Sequence, residues 1–162
     1  MEVAEFDGMA LARAIDVLRP CCASHRWVGE MLSGRPYGSF ERLVEASDRA
    51  LEQSSWTDVV EALDAHPRIG ERLGGSDREA AWSREEQSGA ADPSLDDDLV
   101  AGNIAYERRF GHVFLICATG RSAPQILEAL RARLGNPTDV ERRVVRTELR
   151  EIVRLRLIKT FR

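Results

Sequence analysis

The sequence predicts an all-α domain of about eight helices with one short buried extended segment, and three observations carry that reading. Apolar residues recur at three- and four-residue spacing along most of the chain, the period of a helix with one buried face. Serine and threonine stand where those helices should start, glycine and proline where they should stop. Only one run, Val113 to Ala118, has the composition of a strand, and no second run offers it a partner. At 162 residues the chain fits one domain, 1–162, long enough to bury a core.

The elements follow in order. Ala4 to Leu18 places Met9, Leu11, Ala12, Ile15 and Leu18 at helical spacing and ends at Pro20. A short helix runs from Ser24 through Met31 and stops at Gly34-Arg35-Pro36. Ser39 can cap a helix that buries Phe40, Leu43, Val44 and Leu51, and Ser55 one that buries Val59, Val60 and Leu63. The period then fails over residues 64–82, which hold one Pro and three Gly, with Ile69 and Leu73 nearly the only large aliphatics. A loop of that length inside a domain is often functional. Helical signal resumes near Ser83, breaks at Asp92-Pro93, and runs from Leu95 to Phe110, where Gly111 supplies a stop. After the extended segment, Ser122 opens a helix that ends at Gly135. Thr138-x-x-Glu141 matches a capping box at the start of a last helix reaching almost to the C-terminus.

Composition excludes several classes. Hydrophobic residues make up 43% and charged residues 31%, ordinary for a soluble globular chain and too apolar for disorder. The longest uncharged apolar run, Val113 to Ala118, is far too short to span a bilayer. No charged-then-apolar leader opens the chain, so secretion is not expected. A net charge of −4 argues against nucleic acid, and the late arginines 142, 143, 146, 150, 154 and 156 are interleaved with Glu141, Glu148 and Glu151. Cys21, Cys22 and Cys117 do not form a disulfide framework, which favours reduced thiols in the cytoplasm. The three histidines 25, 66 and 112 show no metal-ligand spacing, so no metal is expected.

Three places can carry chemistry. His66, in Asp64-Ala65-His66-Pro67-Arg68-Ile69-Gly70, precedes a proline that disfavours helix, so its imidazole stands at a helix-to-loop junction. There it suits a general acid or base, although a lone loop histidine is more often merely solvated. Ser83-Arg84-Glu85-Glu86-Gln87 contains a capping box, Ser83-x-x-Glu86, and such a helix start also presents amides to an anion. Arg156 is the most informative residue. At ~100° per residue it falls on the stripe of Val145, Leu149, Ile152 and Val153. An arginine there needs a carboxylate or a ligand, unless it snorkels from the helix end. Arg142 lies toward the same side, while Arg143, Arg150 and Arg154 fall on the opposite, solvated face.

These pieces, in this order, resemble one family, the 2-oxo-4-hydroxy-4-carboxy-5-ureidoimidazoline (OHCU) decarboxylases of urate degradation. The matching elements are His66-Pro67-Arg68-Ile69-Gly70, Ser83-x-x-Glu86-Gln87-Ser88, Asn103-x-x-Tyr106-x-x-Arg109-Phe110-Gly111 and Phe114-Leu115-Ile116-Cys117-Ala118. They continue with Ser122-Ala123, Ile126-Leu127-x-x-Leu130-x-x-Arg133-Leu134-x-Asn136 and Leu155-Arg156-Leu157. Each motif is short, but together they span nearly the whole chain. Arg-Ile-Gly after the His-Pro pair resembles bacterial members, and no Ser-Lys-Leu peroxisomal address ends the chain.

The resemblance implies a cofactor-free enzyme that acts on a small molecule, OHCU, to give (S)-allantoin, without nucleic acid or membrane and as a homodimer. It puts the catalytic proton donor on His66, with Pro67 beside the substrate, and the active-site carboxylate on Glu86. It makes Ser83, Arg84, Glu85, Glu86 and Gln87 a substrate-contacting stretch. It gives the backbone of Phe114, Leu115, Ile116, Cys117 and Ala118 the task of holding the substrate ring, and it puts the family's late arginine on Arg156. Two other readings stand beside it. One is a cofactor-free acid–base enzyme acting on a related ureide. The other is a non-catalytic helical interaction module in which Arg156 is ion-paired and Ser83 and Glu86 only cap a helix.

Overall fold

Side-chain caps set several of the element boundaries. Ser24 Oγ accepts the Trp27 amide at 3.3 Å and starts α3 (His25–Ser33). Ser39 Oγ accepts the Arg42 amide at 3.3 Å before α4 (Phe40–Gln53). Ser55 and Asp58 cap α5 (Trp56–Asp64) reciprocally: Ser55 Oγ takes the Asp58 amide at 3.2 Å and Asp58 takes the Ser55 amide at 2.7 Å. The computed structural model describes residues 1–70, 78–90 and 92–162. Residues 71–77, the middle of the expected loop with its Leu73, lie outside the described residues, as does Ala91.

The described residues are all-helical, with nine α-helices where about eight were expected. The extra one comes from the N-terminus, where the single helix expected over 4–18 is split into α1 (Val3–Asp7) and α2 (Leu11–Leu18). Gly8 costs ~1 kcal/mol in a helix interior, and Arg35 takes two carbonyls at the break, Phe6 at 3.0 Å and Met9 at 2.8 Å. The expected apolar face is kept only in part: Leu18 is fully buried and Ile15 half-buried, but Leu11 is 59% exposed, and Phe6 and Ala14 are buried in addition.

The remaining helices are α6 (Arg78–Gln87), α7 (Asp96–Phe110), α8 (Ala123–Arg133) and α9 (Thr138–Phe161), with short 3-10 turns at Ser88–Ala90 and Pro93–Leu95. Gly111 closes α7 in the left-handed region at φ 78°, its amide bonding the Glu107 carbonyl at 2.9 Å. Ser122 and Gln125 form a full capping box on α8.

Two expected boxes do not form. α6 begins at Arg78, because Arg78-Glu79-Ala80-Ala81 are good helix formers, so Ser83 lies inside the helix rather than at its start. The anion-binding helix start expected at Ser83 goes with it. Thr138 is the first residue of α9, and the carboxylate of Glu141 is engaged by Arg133, Tyr106 and Asn136 rather than by a cap.

The chain divides into two compact units, Met1–Ala62 with Arg150–Arg162, and Leu63–Leu149; α9 supplies residues to both. The first is built on Phe6, Leu18, Trp27, Met31, Leu43, Val153, Leu157 and Phe161, all buried. Trp27 Nε1 donates to the buried Ser47 hydroxyl at 3.1 Å, and Phe6 meets Phe161 edge to face at 5.3 Å. Arg154, expected merely to be solvated, grips Asp48 of α4, with Nε 3.0 Å from Oδ1. The core of the second unit joins Ile69, Leu99, Tyr106, Phe114, Ile116, Ala118, Ile126, Leu127 and Leu130. Val113 to Ala118 crosses this core with no helix or strand assignment, as its sequence predicts. No helix among the described residues is long and apolar enough to cross a membrane.

Candidate active site

His66 follows the end of α5 as Pro67 requires, its amide closing a turn on the Leu63 carbonyl at 2.8 Å. Both residues are half-buried. Three anchors fix the loop that carries them. Arg68 grips Glu107 of α7 through Nε at 2.5 Å and Nη2 at 3.0 Å. Asn103 Nδ2 donates to the Ile69 carbonyl at 3.0 Å, and Ile69 itself is buried in the core. The Gly70 amide donates to Gln87 Oε1 of α6 at 3.2 Å. Gly70 has φ 84°, a conformation that a side chain would strain, so glycine is required at the end of this motif.

The Gly70–Gln87 bond ties the His66 loop to the last turn of α6. On that helix Ser83 is 2% exposed and Glu86 and Gln87 are half-buried, at the i, i+3 and i+4 positions that share a face. Arg84 and Glu85 are exposed. Glu86 also acts on the extended segment. The Cys117 thiol is pushed up by its burial, and further by the negative charges of Glu148 and Glu86. The Gly70–Gln87 bond joins the loop to the end of α6, and the extended segment belongs to the same unit. Arg68, Ile69 and Gly70 of this loop, with Val100, Asn103 and Ile104 of α7, line an open cavity of about 220 Å³.

Among the described residues the extended segment has no partner strand, and side chains stand in for one. Arg133 Nη1 of α8 donates to the Leu115 carbonyl at 2.7 Å. Glu148 of α9 accepts the Cys117 amide at 2.8 Å, and Arg121 Nε donates to the Cys117 carbonyl at 3.1 Å. Behind them, Arg133 makes a buried ion pair with Glu141 at 2.6 Å and lies over the Phe114 ring at 4.6 Å. Glu141 also accepts the Tyr106 hydroxyl at 2.5 Å and the Asn136 amide at 2.9 Å.

In a trans peptide the carbonyl of one residue and the amide of the next point opposite ways. With Leu115 C=O, Cys117 N–H and Cys117 C=O held by these side chains, the Ile116 N–H, Ile116 C=O and Ala118 N–H each point away from them. Among the described residues none of these three groups carries a hydrogen bond. They make a donor–acceptor–donor row, a pattern suited to the amides and carbonyls of a polar ring.

Arg156 belongs to the first unit and is fully buried among Ile152, Val153 and Leu157, so it does not snorkel. One of its guanidinium nitrogens donates to the Pro20 carbonyl at 3.1 Å. Arg142, the weaker alternative, is exposed. Sequence reasoning missed the clamps. Arg133, Tyr106 and Asn136 stood inside quoted motifs without a role, Glu141 was read as a cap, and Glu148 as one of several interleaved acids. Among the described residues no group of three His, Cys, Asp or Glu side chains could hold a metal ion.

Residues 7–158 match the model of the OHCU decarboxylase family. The chain is 34% identical over 158 residues to the uric acid degradation bifunctional protein TTL of Arabidopsis thaliana, covering 94% of this chain but 49% of that one. It thus spans about half the length of that plant relative. It is 29% identical over 136 residues to the 2-oxo-4-hydroxy-4-carboxy-5-ureidoimidazoline decarboxylase of Haloferax volcanii, covering 83% of this chain and 81% of that one. A crystal structure of an OHCU decarboxylase in the presence of (S)-allantoin shares the fold with a TM-score of 0.79 at 28% identity, over 90% of this chain and 97% of the other. With the match reaching from the end of α1 into the last turn of α9, the chain belongs to the OHCU decarboxylase family.

Proposed function

We propose that this chain converts 2-oxo-4-hydroxy-4-carboxy-5-ureidoimidazoline to (S)-allantoin, with His66 as proton donor, Glu86 as its carboxylate partner and Arg156 as the cation for the substrate. Family membership makes the chain a carboxy-lyase of urate degradation; the roles of individual residues are our reading. What supports the roles of His66 and Glu86 is the Gly70–Gln87 bond that ties the His66 loop to the end of α6, in the same unit as the donor–acceptor–donor row at Ile116 and Ala118.

The substrate's name gives its chemistry. Carboxylate and hydroxyl share one ring carbon, and the ureido group sits on the neighbouring one, in a ring with a C=N bond. Breaking the bond to the carboxylate releases carbon dioxide, and the electron pair left behind flows into the adjacent C=N. The substrate is its own electron sink, so the reading calls for no cofactor. The hydroxyl proton then leaves as that carbon becomes a ring carbonyl, and the neighbouring carbon takes a proton from one face only.

The chain's groups map onto these needs. The row at Ile116 and Ala118 holds the ring and fixes which face is presented, together with Pro67. Ser83 and Gln87 border the carboxylate of Glu86, and Arg84 and Glu85 complete the substrate-contacting stretch that the family resemblance implies. His66 delivers the proton, and Glu86 orients the imidazole and stabilises its charged form. Donors fixed in advance on the developing negative charge supply much of the acceleration. We place the enzyme in the cytoplasm as a homodimer, in keeping with its three free cysteines and with the family resemblance.

Purified chain added to freshly oxidised urate tests the activity. Faster loss of the unstable product, with optically active allantoin formed, is expected. Unchanged decay to racemic allantoin overturns the reading.

A further inference from the structure

We infer that Glu148 is a positioning residue for this reaction: through the Cys117 amide, and together with Arg121, it sets the backbone row that holds the substrate ring. The inference rests on the proposed role of that row.

Glu148 closes a small circuit on a single residue. Its Oε2 accepts the Cys117 amide at 2.8 Å, its Oε1 stands 3.7 Å from Arg121 Nη2, and Arg121 Nε donates to the Cys117 carbonyl at 3.1 Å. The Arg121 amide bonds the Ala118 carbonyl at 3.0 Å, which folds the guanidinium back over the segment it serves. Both polar groups of Cys117 are thereby held by side chains, as a neighbouring strand would hold them.

The consequence falls on the flanking residues. The Cys117 amide shares a rigid peptide with the Ile116 carbonyl, and the Cys117 carbonyl shares one with the Ala118 amide. Turning either peptide moves a group of the ring-holding row. Arg133 does the same for the Ile116 amide through Leu115, but it is buried and also braces the core, whereas Glu148 keeps 15% of its side chain exposed. Glu148 is therefore the clamp that can be altered without dismantling the unit.

Stability alone does not explain the arrangement. The Arg121 side chain is 43% exposed, and an ion pair at 3.7 Å with such a partner contributes little. The bond from a charged acceptor to a half-buried amide is the stronger one, and it is the one that fixes the peptide.

The test compares wild type with Glu148→Gln and Glu148→Leu by steady-state kinetics on freshly generated OHCU. Glutamine keeps an oxygen acceptor for the Cys117 amide, so its KM should stay within about two-fold of wild type. Leucine removes the acceptor, and losing one charge-assisted bond to the row's frame should raise KM about ten-fold. Its kcat should fall less than about three-fold, since His66 and Glu86 are unchanged. A purely structural role predicts a lower melting temperature for the leucine variant with KM unmoved.

The Cys117 thiol gives a second readout that does not need turnover. Cys21 and Cys22 are buried, so alkylation of the native protein reports Cys117. Removing the Glu148 charge makes its thiolate easier to form, so both variants should alkylate faster than wild type at pH 8. An unmoved KM for the leucine variant, or equal KM losses in both variants, overturns the inference and leaves the decarboxylase reading standing. A wild-type chain without activity overturns that reading and this inference with it. The alkylation rates then show separately whether Glu148 sits on Cys117.

Discussion

Removing the carboxylate of Glu141 should be among the most damaging single changes in this chain, and the structure gives the size of the effect. Glu141 is fully buried and its ion-pair partner Arg133 keeps 8% of its side chain exposed. Oε1 accepts from Arg133 Nε at 2.8 Å, Arg133 Nη2 at 2.6 Å and Tyr106 at 2.5 Å, and Oε2 accepts from Asn136 at 2.9 Å. Glu141→Leu therefore strands a buried cation, a phenol and a carboxamide together. Breaking a buried pair from one side costs about 3–5 kcal/mol, a large part of the 5–15 kcal/mol, roughly, that holds a typical domain. At about 2–4 °C per kcal/mol, the melting temperature should drop by roughly 6–20 °C. Arg133→Met should cost a comparable amount, because it leaves the carboxylate buried with only neutral donors. The double variant removes both charges and should lie closer to wild type than either single change, since an apolar pair can replace a buried ion pair at little net cost. Urea unfolding followed by far-UV circular dichroism gives the three differences and their coupling. A Glu141→Leu protein within 1 kcal/mol of wild type, or a double variant less stable than both singles, refutes this account of the network.

Two further predictions concern the pH response and a helix end. The only tyrosines, Tyr37 and Tyr106, are 5% and 0% exposed. Burial, then the charge of Asp7, pushes Tyr37 from 10.0 up to about 12, and burial with the Glu141 hydrogen bond pushes Tyr106 upward as well. The folded values lie above the unfolded one, so this stabilisation is complete below pH 10 and is lost as pH rises from 10 toward 12. Absorbance at 295 nm should stay flat to about pH 11 while the helices persist, whereas in urea both phenols titrate near 10; early tyrosinate with intact helices would contradict it. Gly111→Ala puts a Cβ where nothing lies within 4 Å, so its cost is the left-handed backbone alone. That is about 1 kcal/mol, seen as a melting temperature lower by roughly 2–4 °C, and an unchanged value would show that the helix end relaxes.

What could be read from the sequence was what depends on near neighbours. Ser39, Ser55 and Ser122 cap the helices they were expected to cap, and Gly111 stops α7, because each acts within four residues of itself. Arg156 stood out because helix period alone placed it among Val153 and Ile152, and burial agrees. Partnerships set by tertiary distance were not legible. The break after α1 depends on Arg35, 26 and 29 residues away along the chain. Glu141 and Glu148 look alike in sequence, two acids on one helix, yet one is enclosed by Arg133 and the other reaches across to Cys117. Thr138-x-x-Glu141 and Ser83-x-x-Glu86 show the same limit: a capping box names groups that can pair locally, and stronger partners or an earlier helix start can claim them first. The partnerless strand-like run was correctly predicted, and its reason emerged only with the side chains that stand in for a neighbouring strand.

The central claim is that His66 delivers the proton that makes the product chiral, and the circular dichroism of the allantoin formed tests it most directly. Wild type and His66→Asn are compared at equal concentration on freshly oxidised urate, with the fold of the variant verified by its far-UV spectrum. Wild type should give a single enantiomer, and the variant should give racemic allantoin at the rate of spontaneous decay. Enantiopure allantoin made by His66→Asn at near wild-type speed would contradict the claim.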